Sequence, residues 1–230
     1  MIEEKTNIFK YRNMIRKSKD FIYKDPVTNM AYKLDKDAAN DMLEHYRVFV
    51  TSSKIDKDQI EWLNNTSRYI SKSYLPCGVL NYGISPVAII YPKYFDGYKT
   101  FENLYREDNL TIFKNLRQAL LNNRELLNNG IYNTDFSFKN ILYKGNEVEL
   151  VDLDGKHLKK KEYSNYNQVY MYYLHDLKKL VWKKLPYIYG SDTDKVYAEI
   201  QKMLDLPVET VDIDYPLDLL DKVEKKLVLK

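Results

Sequence analysis

The chain has 230 residues, 44% of them apolar, which is enough for one large domain or two small lobes around a real core. Its 36 basic and 33 acidic side chains leave a formal charge of +3, too small a surplus for a nucleic-acid coat or an anionic-membrane binder. The lone cysteine, Cys77, excludes an internal disulfide framework and fits a reducing cytosol, and no run of about 18 apolar residues marks a membrane span or signal peptide.

From Phe9 to Leu34 the pattern reads as three strands: a run over Tyr11–Arg16, Phe21–Tyr23 after a polar turn, and Met30–Leu34 after the Pro26–Asn29 turn. Asp35–Asp37 can cap a helix carrying Ala38, Met42, Leu43, Tyr46 and Val50 at helical spacing. A second helix is predicted over Lys57–Ser73, with Ile60, Leu63 and Ile70 inward. Pro76 and Gly78 then break the chain, and Val79–Ile84 with Val87–Tyr91 reads as a hairpin turning at Ser85-Pro86. Five strands and their helices make an α+β lobe over residues 1–92.

After Pro92 the texture changes. Leu110, Phe113, Leu116, Leu120, Leu121 and Leu127 recur at helical spacing, and Asn128-Asn129-Gly130 is a glycine stop signal. Ile141–Tyr143 and Val148–Val151 flank Gly145 as short strands. From Val169 onward the pattern is helical, with breaks expected at Pro186, at Gly190–Thr193 and at Pro207–Pro216. A mainly helical lobe over 93–230 follows, with the boundary near Pro92–Gly97, and the class is α+β.

The stretch Gly130–Leu142 followed by Glu149–Gly155 carries the chemistry. A helix ends, a polar loop follows, and a hairpin closes with acids at its exit. Asp135 and Asn140 stand five apart in the loop, and Asp152 comes twelve after Asn140. Phosphoryl transfer needs such a set: one carboxylate to orient the acceptor hydroxyl and take its proton, and an Asn with a second carboxylate to hold Mg²⁺ on the phosphates. All three are hard donors suited to Mg²⁺, and Asp154 is either a further ligand or a turn residue before Gly155.

This segment resembles the catalytic and metal loops of the protein-kinase-like superfamily, with Asp135 at the base position and Asn140 and Asp152 at the metal positions. The resemblance runs over roughly residues 9–185. It implies a bilobal fold with a small antiparallel-sheet N-lobe and a mainly helical C-lobe. Ala31-Tyr32-Lys33 resembles the Ala-x-Lys that places the phosphate-binding lysine, with Glu44 as the candidate partner of Lys33 and Glu61 as the other. Pro92-Lys93-Tyr94 is similar to the hinge, where backbone groups at Pro92 and Tyr94 would meet adenine. Asp176 resembles the buried Asp that anchors the catalytic loop, and its neighbour His175 is expected to be packed in the core helix.

Several positions depart from that pattern. No glycine precedes Gly78, so the turn Arg16–Asp20 would cover the phosphates by side chains, Ser18 among them. Asn133-Thr134 stands where His-Arg is usual, and Ser137 where a lysine is usual. Asp152-Leu153-Asp154 replaces Asp-Phe-Gly, as in aminoglycoside- and choline-type kinases, and no peptide-docking activation segment separates Asp152 from Asp176. The basic run Lys156, His157, Lys159, Lys160, Lys161 would attract an acidic acceptor or is a solvated loop. The expected function is transfer of the γ-phosphate of Mg·ATP to a hydroxyl on a protein or small molecule. The alternative is a pseudokinase working as a nucleotide-binding or protein-interaction module; neither nucleic acid nor membrane is an expected partner.

Overall fold

The computed structural model describes residues 1–48, 54–67, 70, 75–153, 158–160, 166–189, 193–205 and 212–228. The chain divides into two compact units, Met1–Asp96 with Leu153–Lys156, and Gly97–Asp152 with His157–Lys230.

The first unit opens with a strand, β1 (Ile2–Thr6), that the sequence pattern did not reveal. The strand expected over Tyr11–Arg16 is instead a helix, α1 (Ile8–Lys17). Ile8, Tyr11, Met14 and Ile15 share one helical face and pack into the core. Asn7 caps the start by accepting from the Lys10 N–H at 2.9 Å, and Arg16 and Lys17 sit in the last turn, where the helix dipole favours cations.

β2 (Ile22–Lys24) and β3 (Ala31–Leu34) pair antiparallel. Their connection is fixed by the Asp25 carboxylate, which accepts from the N–H groups of Val27 at 2.7 Å and Thr28 at 3.0 Å. Two helices follow, α2 (Lys36–His45), capped by Asp35, and α3 (Lys57–Ser67). β4 (Gly78–Tyr82) and β5 (Ser85–Tyr91) then form a hairpin. Its turn is at Gly83 (φ 61°) and Ile84, not at Ser85-Pro86. Both of those residues belong to β5, where Pro86, which has no N–H to offer the ladder, faces Asn81 at a register slip.

The sheet order is β1-β4-β5-β3-β2. β1 runs parallel to β4, so the sheet is mixed and the expected purely antiparallel arrangement is corrected. Alternation sorts its two faces. Tyr32, Leu34, Leu80 and Ile90 pack with α1 and α2, whereas Val79 and Ile89 pack with Ile60 of α3.

The second unit begins with β6 (Lys99–Thr100), a short 3-10 helix (Phe101–Arg106) and α4 (Asn109–Asn128). Gly130, at φ 75°, ends α4 as expected. β7 (Ile131–Asn133), β8 (Ile141–Lys144), β9 (Glu147–Leu150) and β10 (Leu158–Lys160) form two small sheets, ordered β10-β7 and β6-β8-β9. The remainder is helical: α5 (Asn167–Tyr189), α6 (Thr193–Leu204) and α7 (Tyr215–Val228). Pro186 does not break the chain as expected but lies inside α5, near its end. The carbonyl it leaves without an N–H belongs to half-exposed Trp182, on a flank open to water. No helix among the described residues is long and apolar enough to cross a membrane.

α4 positions the β8–β9 hairpin with amide side chains rather than with leucines alone. Asn115 Nδ2 donates to the Gly145 carbonyl at 3.0 Å and Asn122 Nδ2 to that of Val148 at 2.8 Å. These residues lie seven apart, two helical turns along one face.

In the first unit, β1 is held by the absence of a side chain opposite it. A Cβ at Gly78 would lie 2.3 Å from the Ile2 carbonyl oxygen and 2.7 Å from its Cβ. Gly78→Ala is therefore expected to push β1 off the sheet and cost about 1–3 kcal/mol, read by urea unfolding. A variant as stable as the parent would show that β1 does not pack there.

Candidate functional site

The β8–β9 register pairs Ile141 with Leu150. The ladder continues one step further, because the Val151 N–H donates to the Asn140 carbonyl at 2.9 Å. Asn140 is thus fixed beside Val151, one residue from Asp152. The Asn140 Nδ2 in turn donates to the Asp135 carbonyl at 3.0 Å. Asp135, Asn140 and Asp152 are therefore gathered at one end of a single hairpin. Asp152 itself has a left-handed backbone, φ 64°, a region that Asp enters more readily than most residues.

The loop from Asp135 to Asn140 rests on aromatic rings that sequence reasoning passed over. Phe136 stacks on Tyr173 of α5 with ring centroids 4.8 Å apart, and Phe138 meets the edges of Tyr173 and Phe101. Burial pushes the Tyr173 phenol well above its ordinary pKa, and its hydroxyl donates to the Leu116 carbonyl at 3.1 Å. The Phe-x-Phe alternation was the available signal, since it sends two rings down beneath the loop. As expected for a loop anchor, Asp176 accepts from the Phe138 N–H, at 3.0 Å. Asn133 adds a second tether, its Oδ1 accepting from the Asp135 N–H at 3.0 Å.

Asp135 lines a groove of about 570 Å³ with Lys139, Met171, His175, Asp176 and Lys179. Its carboxylate is mostly buried, 15% exposed, and pairs with Lys139 Nζ at 3.2 Å. Lys179 pairs with Asp176 at 3.4 Å. His175 is exposed and lines the groove, which corrects the expectation of a packed core histidine: its neighbours Leu174 and Leu177 take the buried face of α5. Among the described residues no three His, Cys, Asp or Glu side chains converge to hold a metal. Asp154 lies outside the described residues, as do Lys156, His157 and Lys161 of the basic run; Lys159 and Lys160 are on β10.

The remaining candidates belong to the first unit. Lys33 is half-buried on β3, opposite Ile22 and Ile89. It shares the face of Ile89, packed toward α3, whereas α2 covers the other face through Ala38, Ala39 and Met42. Glu44 lies two residues past fully buried Met42, about 200° around α2, and is exposed. The expected Lys33–Glu44 partnership is therefore overturned. Glu61, on α3, is exposed as well.

Ser18 is not in a turn between strands but caps the end of α1, its hydroxyl donating to the Ile15 carbonyl at 2.7 Å. At the expected hinge, Pro92 has no N–H, and the Tyr94 N–H is taken by the Asn29 carbonyl at 2.9 Å. Tyr94 is thus not an available donor for adenine, and its ring instead lies 5.5 Å from the Lys24 ammonium.

No family model matches the chain, and no curated protein matches it either.

The Asp176 tether has a measurable consequence. Asp176→Ala leaves the buried Phe138 N–H without a charged acceptor and is expected to cost about 1.5–3 kcal/mol in urea unfolding, with Asp176→Asn costing less. Equal stability of Asp176→Ala and the parent would show that the loop is held by its aromatic rings alone.

Proposed function

We propose that this chain is a phosphotransferase of protein-kinase-like, bilobal fold that moves the γ-phosphate of Mg·ATP to a hydroxyl of a protein or small molecule. The observation that carries the reading is the gathering of Asp135, Asn140 and Asp152 at one end of the β8–β9 hairpin by the Val151–Asn140 and Asn140–Asp135 hydrogen bonds. Asp135 accepts the proton of the acceptor hydroxyl. The hydroxyl oxygen bonds to the γ-phosphorus as the bond from phosphorus to the bridging oxygen of ADP breaks.

The donor set fits Mg²⁺. The Oδ1 of Asn140 and the carboxylate of Asp152 are hard oxygens, and this ion usually takes one or two carboxylates and completes its shell with water and phosphate oxygens. Bound there, it would neutralise charge on the phosphates. Lys33, half-buried on its strand, is assigned to the nucleotide phosphates, as in the resemblance that suggested it. A reducing, cytoplasmic setting suits the single cysteine.

A second reading, a pseudokinase that binds nucleotide or a partner without turnover, is favoured by α1, which replaces the strand turn that would cover the phosphates. One experiment separates the two: Mg²⁺-dependent release or transfer of label from γ-labelled ATP, compared among wild type, Asp135→Ala and Asp152→Asn. Asp135→Ala is expected to lower transfer by about 10²–10⁴-fold while sparing ATP binding. Asp152→Asn, which loses a carboxylate for the ion, should lose the Mg²⁺-dependent transfer. Label transfer by Asp135→Ala at the parental rate would refute the role of Asp135, and ATP binding without turnover in wild type would leave the pseudokinase.

A further inference from the structure

We propose that the groove beside Asp135 binds an extended acidic peptide with its acidic residues toward Lys183; on the phosphotransfer reading above, that peptide is the acceptor. The groove does not stop at Asp135. A smaller cavity of about 100 Å³, reaching Tyr105 and Lys183, shares Glu102, Asp176 and Lys179 with it, so the two adjoin along α5. Gln168, Met171, Tyr172, His175, Lys179 and Lys183 recur at helical spacing along this wall. From Gln168 to Lys183 the helix rises about 22 Å. That is the length of about six or seven residues of extended chain, and a compact small acceptor would leave most of it empty.

The two ends differ in chemistry. In the cavity that holds Asp135, Met171 and Tyr172 are exposed and form an apolar shelf. Cations dominate the far end. Two of the three carboxylates along the wall are already matched, Asp135 by Lys139 at 3.2 Å and Asp176 by Lys179 at 3.4 Å. Exposed Glu102 is left against Lys183 and Arg106. Both of those cations rest on one ring: Lys183 Nζ lies 4.6 Å from the Tyr105 centroid and the Arg106 guanidinium 5.5 Å from it. Arg106 Nε also donates to the Tyr105 hydroxyl at 3.1 Å. That hydrogen bond and the Arg106 charge, with a smaller contribution from Lys183, hold the phenol below its ordinary pKa. Neither cation makes an ion pair among the described residues. Two cations outnumber one carboxylate here, and an anionic ligand would supply the missing charge.

The loop bearing Asp135 sets the register. Phe136 stacks on Tyr173 and the Phe138 N–H donates to Asp176, so Asp135 sits beside that turn of α5. Lys183 lies about 10–15 Å further along the helix axis. An extended chain covers that span in about three or four residues. A serine or threonine hydroxyl held at Asp135 therefore puts the acids of the peptide three or four positions away, and an apolar neighbour of the hydroxyl residue meets Met171 and Tyr172.

The test uses serine-centred peptides with a leucine beside the serine and a run of glutamates, or of lysines, beginning three residues away on one side or the other. Binding is read by fluorescence anisotropy without nucleotide, and transfer separately with γ-labelled ATP and Mg²⁺. A glutamate peptide is expected to bind wild type about tenfold more tightly than its lysine counterpart, by an advantage that shrinks as salt rises. Lys183→Glu should weaken its binding about 3–30-fold. Lys183→Glu combined with Arg106→Glu should come to prefer the lysine peptide, a reversal that a misfolded variant cannot give. Glu102→Gln should tighten the glutamate peptide. Equal binding of glutamate and lysine peptides to wild type would overturn the proposal and leave the phosphotransfer reading standing. Labelling of glycerol phosphate in preference to every peptide would do the same. Binding of the glutamate peptide through Lys183 with no label passed to any acceptor would refute the phosphotransfer reading and leave the acidic-peptide groove.

Discussion

The hydrogen bond from the Val151 N–H to the Asn140 carbonyl is the constraint on which the site depends. It carries the β8–β9 ladder one step past the regular strands, and a one-residue slip would reverse the face of every side chain in the hairpin. With the register set, the loop residue Asn140 and the strand-exit residue Asp152 become near neighbours, although twelve positions separate them. The amide of Asn140 then reaches back to the Asp135 carbonyl, so one backbone bond organises residues from two separate stretches of chain.

That hairpin is too small to hold its own geometry, because short two-stranded ribbons are marginal in water. Support comes from three directions. Asn115 and Asn122 of α4 satisfy the carbonyls of Gly145 and Val148, which a leucine-lined helix would have left unbonded. Rings from Phe101, Phe136, Phe138 and Tyr173 form the floor of the loop. Asp176 accepts the Phe138 N–H from α5. The amide and carboxylate tethers meet backbone groups, so the hairpin and its loop are held through the main chain as well as through the rings.

Much of this was legible locally. The spacing of Asp135, Asn140 and Asp152, the Gly130 stop, the two short strands and the Asp176 anchor all follow from patterns within a few residues. What was not legible depended on distant partners. β1 is a strand only because Gly78, far along the chain, lets Ile2 approach. Around Tyr11 the branched and aromatic residues suggested a strand, and the three-to-four spacing that buries Tyr11, Met14 and Ile15 outweighed that preference. The pairing of Lys33 with Glu44 failed for a related reason. Chain order cannot say which face of a sheet a helix will cover, and α2 chose the face opposite Lys33. Pro186 misled because a proline near a helix end costs little when the orphaned carbonyl is open to water.

The backbone of Asp152 shows how a functional side chain can be taken out of a core. Along β9, Val148 and Leu150 are buried, and strand alternation would send residue 152 to the same face. There a carboxylate would be desolvated without a partner, at a cost well above that of a bent backbone. At φ 64° the alternation is broken: Asp152 is exposed and the next residue, Leu153, is buried. A left-handed residue costs about 1–2 kcal/mol for most side chains and less for Asp, whose short polar group tolerates that region. Asp is thus the acid that can make this turn at small cost, since Glu lacks that tolerance and Gly carries no carboxylate. The same residue type meets the demand of the backbone and the demand of the chemistry, and the exit of β9 places it where Asn140 is already fixed.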